Sequence, residues 1–513
     1  SGINPQSFSW KLTPEAHFDT PEAVLSYSSK GYGGLSRQLH SFIREHIVRG
    51  VWKKSPRPVL LNSWEACYFK IDERKLLQLA KAGADVGIEL FVMDDGWFLG
   101  RNDDTSSLGD WEPDPKKLPG GIASLSKKIK AMGVDFGLWV EPEMISENSR
   151  LYQEHPDWAM TIPGHPHSEG RNQRLLDLCN PEVQQYVIDS ITKVFSSGDI
   201  RYAKWDMNRI FSDIYAPSLP AERQGETAHR YVLGLYQIME ELTTRFPKIL
   251  FEGCSAGGNR FDLGILCYFP QIWASDNTDA LCRTEIQNSY SYGYPLSVFT
   301  AHVSSCPNHQ TLRITPLETR FQVASFGVLG YECNLKDLSG SDLNAIREQI
   351  ALYKKWRDVF QFGTFYRGTE NEDADSETLS WTCVSPDGRR AVGLFFRRLA
   401  VPNQSHDWYR PVGLLPDVKY HFYGRNIKYN LKDFGDLVNT VSPVHIKQGS
   451  ALQEILSRFV NMDGEKEDLT AYGDTLMRAG IALKPAFAGT GYNSDTRLFP
   501  DFSSRIYFME AVE

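Results

Sequence analysis

The sequence predicts an α/β fold in which a (β/α)8 barrel is followed by a C-terminal antiparallel β domain. Between residues 58 and 356, eight short apolar segments alternate with amphipathic helical segments, which is typical of a parallel sheet built from βαβ units. Eight such units in roughly 300 residues fit a closed barrel better than an open sheet. After about residue 365, strict alternation replaces the helical spacing, which indicates antiparallel strands.

The barrel elements follow one another in a regular order. Each predicted strand is apolar through its body and polar at its C-terminal end. The strands are predicted at 58–64, 90–97, 136–143, 202–208, 249–254, 271–276, 297–304 and 330–334. The helices are predicted at 73–87, 121–133, 181–195, 228–245, 316–327 and 341–356, and Pro181 favours a helix start there.

Two further segments flank the barrel, which we place at residues 36–365. Residues 366–513 are predicted to form a C-terminal β-sandwich domain, since 377–398 alternates and contains Asp387–Gly388, a hairpin signal. Strand-like segments also occur at 411–424 and 503–512. Residues 1–35 contain three strand-like pieces, FSWKL, AHF and AVLSYS, which look like the end of another domain.

The composition excludes several classes of protein. With 513 residues, 41% apolar content and a net charge of −9, the chain is expected to be a multi-domain globular protein that binds no nucleic acid. It has no apolar run of about 18 residues, so we expect no membrane partner. Its eight cysteines are scattered without a CxxC pair, which predicts free thiols and a cytoplasmic location. The N-terminus lacks a signal peptide, although a processed, secreted form is the alternative.

Most chemistry-bearing side chains lie at the predicted C-terminal strand ends, where a (β/α)8 barrel carries its active site. Lys204, Asp206 and Asn208 alternate along the fourth strand, so they point the same way. The other strand-end groups are Asp94, Asp95, Trp139, Glu141, Glu143, the glycine-containing turn 252–262, Asp276 and Asp279.

Paired carboxylates among hydrogen-bonding side chains and an indole suggest glycoside hydrolysis. One carboxylate must be ionised to attack the anomeric carbon or activate a water, and the other must hold a proton for the leaving oxygen. Lys204 favours the ionised form of Asp206, whereas a more apolar setting would keep its partner protonated.

Each of these residues also has a purely structural interpretation. Asp206 could be an ion-pair partner of Lys204, and Asp94–Asp95 could cap a loop. Asp276 could be an N-cap or form an Asx-turn before a helix, and Trp139 could belong to the core. His302 and His309 could suggest a metal site. Since no HxH lies on the first strand and no HExxH occurs in the chain, we expect neither a metal nor a cofactor.

Several motifs resemble one known family, glycoside hydrolase family 36, the bacterial and fungal α-galactosidases. They are LNSWEA, DDGWF, LGDWEPDPKKLPGG, LWVEPEMIS, HPDWAM, GRNQRLLDL, KWDMNR, WASDNTDA and HVSSCPNHQT. The resemblance implies a retaining exo-glycosidase that removes terminal α-linked galactose from melibiose- or raffinose-type oligosaccharides through a covalent glycosyl-aspartate. It also implies Asp206 as the nucleophile, Asp276 as the acid/base and a homo-oligomer, a tetramer in relatives.

The resemblance further implies a set of sugar-binding residues. Asp94 and Asp95 would bind the galactose hydroxyls at positions 4 and 6, and Trp139 would stack on the sugar. Cys254 would lie by the 2-hydroxyl, in a turn whose glycines let the backbone approach the ligand. The full predicted set is Asp94, Asp95, Trp139, Arg171, Lys204, Asn208, Cys254 and Gly257.

The sequence also departs from the family pattern. Ala256 and Asn259 stand in a stretch that is all glycine in relatives, so an α-N-acetylgalactosaminidase or galactosaminidase is an alternative. Transglycosylation and a non-catalytic sugar-binding barrel are further alternatives. Residues 1–35 would be the tail of an N-terminal β-sandwich domain, which makes the chain a fragment, a processed form or one whose remainder lies elsewhere.

Overall fold

The computed structural model describes residues 2–168, 170–368, 377–400, 407–440, 442–457, 459–483 and 499–512. The backbone divides into two compact units. The first contains the chain up to Thr278, Gly293–Ser305 and Val328–Leu338, and the second contains Asp279–Tyr292, Cys306–Gly327 and the chain from Ser339 onward. The domain boundaries at residues 35 and 365 stay a prediction.

The first unit contains a closed barrel of eight parallel strands, as the sequence predicted. The strands are Leu60–Asn62 (β1), Leu90–Met93 (β2), Asp135–Val140 (β3), Ile200–Trp205 (β4), Leu250–Gly253 (β5), Gln271–Trp273 (β6), Phe299–Ser304 (β7) and Val328–Glu332 (β8). Around the barrel, hydrogen-bonded neighbours follow in the order β1-β8-β7-β6-β5-β4-β3-β2.

The register of the barrel brings the strand ends that carry predicted site residues to one level. Trp139 of β3 pairs with Lys204 of β4, and Lys204 pairs with Glu252 of β5. All these strands are buried almost throughout, because both faces of a barrel strand are covered. Polar side chains that follow each strand therefore meet at one end of the barrel.

Helices of the first unit alternate with the strands. The long helix before β2 begins at the N-cap Asp72, whose carboxylate accepts the Lys75 N–H over 2.8 Å, and ends at the left-handed Gly87. The helices are Gly31–Phe42 (α1), Trp64–Cys67 (α2), Glu73–Val86 (α3), Gly121–Lys130 (α4), Arg150–Glu154 (α5), Pro181–Ser196 (α6), Thr227–Arg245 (α7) and Leu263–Leu266 (α8). Short 3-10 or π segments lie at Ile43–Ile47, Val51–Lys53, Pro156–Trp158, Ala221–Glu226, Leu296–Val298 and Leu335–Asp337. Outside the barrel, Met144–Ile145 and Arg174–Leu175 form a short antiparallel strand pair.

The predicted strands near the N-terminus are wrong, because residues 2–30 contain neither helix nor strand. A β-strand needs a neighbouring backbone to complete its hydrogen bonds, and this segment is held mostly by side chains instead. The Lys11 N–H donates to the buried Glu226 carboxylate over 2.9 Å. The Trp10 ring lies 4.7 Å from that of Phe18, and the Arg230 guanidinium lies 4.6 Å from the Trp10 ring.

The second unit is built on antiparallel strands, as the alternating pattern predicted. Its strands are Thr364–Arg367 (β9), Thr378–Val384 (β10), Arg390–Arg397 (β11), Asp407–Tyr409 (β12), Lys419–Gly424 (β13), Lys428–Asn430 (β14), Asn461–Asp463 (β15), Asp468–Tyr472 (β16), Ile481–Leu483 (β17) and Ser503–Ala511 (β18). Six of them form one sheet of order β9-β10-β11-β18-β13-β16. The paired strands β12 and β17 contribute to the core of the unit through Tyr409 and Leu483, which pack with Phe422 and Tyr507.

Several helices belong to the second unit. They are Ala280–Tyr290 (α9), Leu317–Ser325 (α10), Gly340–Phe362 (α11), Ala451–Ser457 (α12) and Gly473–Arg478 (α13), with a kinked 3-10 segment at Leu431–Thr440. The description of this unit as a β-sandwich stays a prediction. Within the described residues, no helix combines the length and the apolar content needed to cross a bilayer.

Candidate active site

Asp206 directly follows β4 and is held by hydrogen-bond donors on both carboxylate oxygens. Trp139 Nε1 donates to Oδ2 over 3.1 Å, and Asn208 Nδ2 donates to the same oxygen over 2.8 Å. The Met207 N–H donates to Oδ1 over 2.9 Å. The side chain is therefore fixed on a rigid strand end, with an exposed fraction of only 6%.

The surroundings of Asp206 keep it ionised. Burial alone would raise its pKa, but the nearby Lys204 charge and hydrogen bonds from the Cys254 thiol, Asn208 and Trp139 outweigh this, so that the pKa lies below its usual value. Burial and the Asp206 charge raise the pKa of the Cys254 thiol well above its usual value, so this thiol stays protonated and acts as a donor.

Lys204 connects Asp206 to the end of β2. Its Nζ donates to Asp94 Oδ2 over 3.0 Å, and Asn62 Nδ2 donates to the same oxygen over 2.7 Å. Burial lowers the pKa of Lys204, but the Asp94 carboxylate, assisted by Asp206, raises it well above the usual value. Lys204 is therefore a permanent ammonium that contacts Asp94 and acts on Asp206 through its charge.

Asp95 is bound by Arg101, which is not among the predicted site residues. The fully buried Arg101 donates to it through Nε and Nη2, over 3.0 and 2.8 Å, in a bidentate arrangement. Arg101 lies six positions later in an irregular loop, so no periodicity marked it as a site residue. Lys117 supports the same loop by donating to the Gly96 carbonyl over 2.7 Å.

Asp276 follows β6 and stays exposed to solvent. Trp273 Nε1 donates to its Oδ1 over 2.9 Å. Its pKa is raised, first by desolvation from the surrounding walls and then by the negative charge of Asp206, although Lys204, Trp273 and Arg171 oppose the shift. Asp276 is thus the carboxyl group with the greater tendency to hold a proton.

The turn after β5 packs against the backbone of Asp276. Gly257 has a φ of +85°, and a Cβ at this position would lie 3.0 Å from the Asp276 nitrogen. Glycine is therefore required for the close approach. Asn259 Nδ2 donates to the carbonyls of Ser255 and Ala256 over 2.9 and 3.1 Å, so this amide fastens the turn internally.

The predicted site residues meet at the barrel end, with two qualifications. Arg171 is exposed and has a φ of +51°, and its Nη2 lies 3.8 Å from Asp104 Oδ2. It is linked to the site through its charge, which opposes the rise in the pKa of Asp276. Trp139 is only 2% exposed and uses its N–H for Asp206, so its role as a sugar platform stays a prediction.

The structure does not support Asp206 as a simple ion-pair partner of Lys204 or Asp276 as the N-cap of a helix. Lys204 Nζ makes its hydrogen bond to Asp94 and acts on Asp206 through its charge, so Asp206 is not simply a contact partner of Lys204. The N-cap of α9 is Asp279, whose carboxylate accepts the Cys282 N–H over 3.1 Å, so Asp276 does not cap this helix.

Comparison with known proteins identifies the family. A family model described as Melibiase matches residues 17–363, and one described as Glycosyl hydrolase family 36 C-terminal domain matches residues 378–509. The chain belongs to glycoside hydrolase family 36.

Relatives in family 36 agree in sequence and in structure. Alpha-galactosidase AgaA of Geobacillus stearothermophilus is 47% identical over 83% of this chain and 58% of AgaA. Alpha-galactosidase Mel36A of Lactobacillus acidophilus is 46% identical over 82% of this chain and 57% of Mel36A. A crystal structure of AgaA matches with a TM-score of 0.86 and 42% identity, covering 100% of this chain and 63% of that one. The chain thus spans less than two thirds of the length of these relatives.

Two buried glutamates directly follow β3, beside the candidate site. Glu141 accepts the Asn208 N–H over 2.5 Å, and burial followed by the Asp206 charge raises its pKa to about 8. Glu143 accepts from Trp205 Nε1 over 2.8 Å and from Arg260 Nη2 over 2.8 Å. Both were predicted at a strand end, but the sequence pattern indicates no role for them, because their partners come from distant parts of the chain.

Proposed function

We propose that this chain carries the catalytic site of a retaining α-galactosidase. The observation that carries the proposal is the contrast between two carboxyl groups at strand ends of one barrel. The buried Asp206 accepts hydrogen bonds from Trp139, Asn208 and the Met207 N–H, whereas Asp276 is exposed and accepts one from Trp273. These surroundings lower the pKa of Asp206 and raise that of Asp276. Such a pair provides the nucleophile and the acid of a glycosidase. Membership of family 36 and the names of the relatives support the same activity.

The first step forms a glycosyl-enzyme. The ionised Asp206 attacks the anomeric carbon of a terminal α-galactosyl residue, and a bond forms between that carbon and a carboxylate oxygen. The bond from the carbon to the leaving oxygen breaks at the same time. Asp276 gives its proton to the leaving oxygen, so the aglycone departs as a neutral alcohol.

The second step releases galactose. Asp276, now ionised, removes a proton from a water molecule, and the water oxygen attacks the anomeric carbon. The bond to Asp206 breaks, and both carboxyl groups return to their starting states. Two displacements at one carbon leave the anomeric configuration as it was in the substrate.

The remaining predicted residues would recognise galactose. Asp94 Oδ2 accepts from Lys204 and Asn62, and Oδ1 accepts the Asp95 N–H over 2.9 Å but keeps a second lone pair, which suits a sugar hydroxyl at position 4 or 6. Asp95 is oriented by Arg101 for the same purpose. Cys254, Asn208, Trp139, Arg171 and Gly257 would contact the rest of the sugar.

Melibiose- and raffinose-type oligosaccharides are the proposed substrates. Solved structures of AgaA variants hold raffinose and stachyose, which supports this substrate class. An acetamido group at position 2 is not favoured, because the Asn259 amide is engaged within its own turn. A homo-oligomeric, tetrameric assembly and a cytoplasmic location stay predictions.

Hydrolysis of nitrophenyl glycosides tests the proposal. We expect cleavage of the α-galactoside, but not of the β-galactoside or the α-N-acetylgalactosaminide, and losses of ~10³-fold or more for Asp206→Asn and Asp276→Asn. Asp85→Asn, a surface variant in α3, is the matched control. Proton NMR during the reaction should show α-galactose as the first product. Binding without cleavage would indicate a sugar-binding barrel, and β-galactose as first product would rule out retention.

A further inference from the structure

A buried histidine–glutamate pair lies on the last two barrel strands. His302 Nδ1 on β7 is 2.8 Å from Glu332 Oε2 on β8, and both side chains are at most 4% exposed. His302 Nε2 is buried without a hydrogen-bond partner. The reaction steps proposed above use neither residue, so the pair needs a separate explanation.

Packing confines the His302 ring from two sides. The ring centroid lies 4.4 Å from that of Trp273, with 41° between the planes. On β8, Gly330 is paired with His302 in the parallel register, and a Cβ there would lie 2.6 Å from Nε2. A glycine is therefore required beside the imidazole. The His302 ring lies between the backbone of β8 and the Trp273 indole, so a movement of the ring would be transmitted to the indole.

Trp273 links this pair to the acid/base. It is the last residue of β6, and its Nε1 donates to Asp276 Oδ1 over 2.9 Å. Asp276 itself is exposed and lies beyond the end of the strand, so its position depends on what holds it. The path from Glu332 through His302 and Trp273 to Asp276 is therefore continuous. It consists of a hydrogen bond of 2.8 Å, a ring contact with centroids 4.4 Å apart and a second hydrogen bond of 2.9 Å.

Charged groups surround both ends of this path. Burial raises the pKa of Glu332 and His302 lowers it, while the Glu65 charge adds to the rise and the Lys204 charge opposes it. Glu65 is itself held by Thr278 Oγ1 over 3.1 Å and by the Ser305 N–H over 3.0 Å. Asp206, Lys204 and Arg171 act on Asp276. Lys204 is common to both ends, and its Nζ lies 5.9 Å from the Trp273 ring.

We propose that His302 and Glu332 are positioning residues for the acid/base. Glu332 fixes the His302 ring, the ring fixes the Trp273 indole, and the indole N–H holds the Asp276 side chain where its protonated carboxyl group can protonate the leaving oxygen. The inference rests on the proposed function, because it needs Asp276 as the acid. Small displacements of a catalytic group are enough to reduce the rate strongly.

A misplaced acid has a characteristic kinetic effect. Protonation of the leaving oxygen is essential for a sugar aglycone, but it matters little for 2,4-dinitrophenolate, which leaves without a proton. The value of kcat/KM reports the first step only. A loss confined to folding or sugar binding would lower kcat/KM for both substrates equally, whereas loss of positioning affects mainly the sugar aglycone.

The experiment compares raffinose with 2,4-dinitrophenyl α-galactoside in a set of variants. For Trp273→Phe and His302→Phe, we expect kcat/KM on raffinose to fall at least ~10-fold more than on the dinitrophenyl substrate. Glu332→Gln keeps an acceptor for His302 and should retain most of the activity, whereas Glu332→Leu should behave like His302→Phe. Trp356→Phe, at a buried indole of the second unit whose Nε1 has no partner, is the matched control.

The indole resonance gives a readout that does not depend on turnover. In protein labelled with nitrogen-15 at tryptophan, the Trp273 N–H signal, assigned from Trp273→Phe, should titrate with Asp276, and Asp276→Asn should abolish this titration. His302→Phe should shift or broaden the Trp273 signal and change its apparent pKa. In Trp273→Phe, loss of the donor should raise the Asp276 pKa and move the alkaline limb of kcat/KM to higher pH.

The outcomes separate this inference from the proposed function. Equal losses on both substrates, or an unchanged Trp273 titration in His302→Phe, would overturn the positioning role while leaving the activity intact. If Asp276→Ala itself loses no more on raffinose than on the dinitrophenyl substrate and is not accelerated by azide, then Asp276 is not the acid. That result would overturn the proposed mechanism and this inference together.

Discussion

At the scale of single residues, the site is organised by one ammonium. Lys204 contacts Asp94, lowers the pKa of Asp206 and opposes the rise in the pKa of Asp276. Because the Lys204 charge lowers the pKa values of both Asp206 and Asp276, a change at Lys204 shifts both together. The difference between the two pKa values comes instead from hydrogen-bond donors, of which Asp206 has more than Asp276.

Replacement of Lys204 should therefore move both limbs of the pH profile. In Lys204→Met the pKa values of Asp206 and Asp276 both rise, so the acid and the alkaline limbs of kcat/KM should move to higher pH together. We expect the maximum to fall about 10- to 100-fold, since a charge-assisted contact is lost. Lys128→Met, on the exposed face of α4, should leave the profile unchanged, and a shift of one limb only would show that Lys204 acts on one carboxyl group.

The raised pKa of Glu141 leads to a prediction about the free energy of unfolding rather than the reaction rate. Its pKa is raised from 4.5 to about 8, so the unfolded chain loses this proton near pH 4.5 while the folded protein keeps it until about pH 8. Its contribution to stability is therefore fully present below pH 4.5 and is lost as the pH rises to 8. Glu141→Gln should gain stability relative to wild type across this window, by at most about 1.4 kcal/mol per pH unit, and the gain should level off above pH 8.

Chemical denaturation at pH 5, 6.5 and 8 measures this gain. The Asp206 charge is the second cause of the shift in Glu141, so the pH-dependent part of the gain should be smaller in an Asp206→Asn background. A gain of the same size at every pH would mean that Glu141 acts by packing alone.

At the scale of elements, the barrel strands could be predicted and the loops could not. All eight strands were predicted, because an apolar run with a polar end is a local pattern. The helix α1 was missed because GYGGLSRQLHSF contains three glycines, which have low helix propensity. Arg101 and the partners of Glu143 were missed because their contacts depend on how distant loops turn.

The same contrast applies to the site. Lys204, Asp206 and Asn208 could be placed together from strand alternation, and the register confirms that β3, β4 and β5 end at one level. The partition of roles within this set could not be read from spacing. That Lys204 contacts Asp94, and that the Trp139 N–H serves Asp206, depends on the twist and closure of the barrel.

The turn after β5 gives a prediction at this scale. In Gly257→Ala, the new Cβ would lie 3.0 Å from the Asp276 nitrogen at a φ of +85°, so the turn must move away and displace Asp276, the proposed acid/base. We expect kcat/KM to fall at least ~10-fold, with about 1 kcal/mol of destabilisation from the backbone. Gly133→Ala, at a φ of +80° with open space around it, carries the backbone strain alone and should lower stability without lowering the rate.

At the scale of the whole molecule, the sequence families and the compact units divide the chain differently. The two family models meet between residues 363 and 378, whereas α9 and α10, which lie between barrel strands in sequence, belong to the same compact unit as the C-terminal sheet. Within that unit, Trp381 Nε1 donates to Asn288 Oδ1 over 3.1 Å and Ser504 Oγ donates to Gln322 Oε1 over 2.8 Å. The sheet is therefore part of how these helices are stabilised.

This arrangement predicts that the chain cannot be divided at the family boundary. A truncated protein ending at residue 363 would leave α9 and α10 without the sheet that satisfies Asn288 and Gln322, and it would expose apolar surface on α11, where the Trp356 ring lies 4.9 Å from that of Phe508. We expect this truncation to aggregate or to melt without a cooperative transition, and residues 364–513 alone to do the same. In the full chain, Trp381→Ala should lower stability by about 3 kcal/mol or more. A truncated protein that melts sharply and hydrolyses the α-galactoside at the rate of the full chain would show that the C-terminal sheet is dispensable for the barrel.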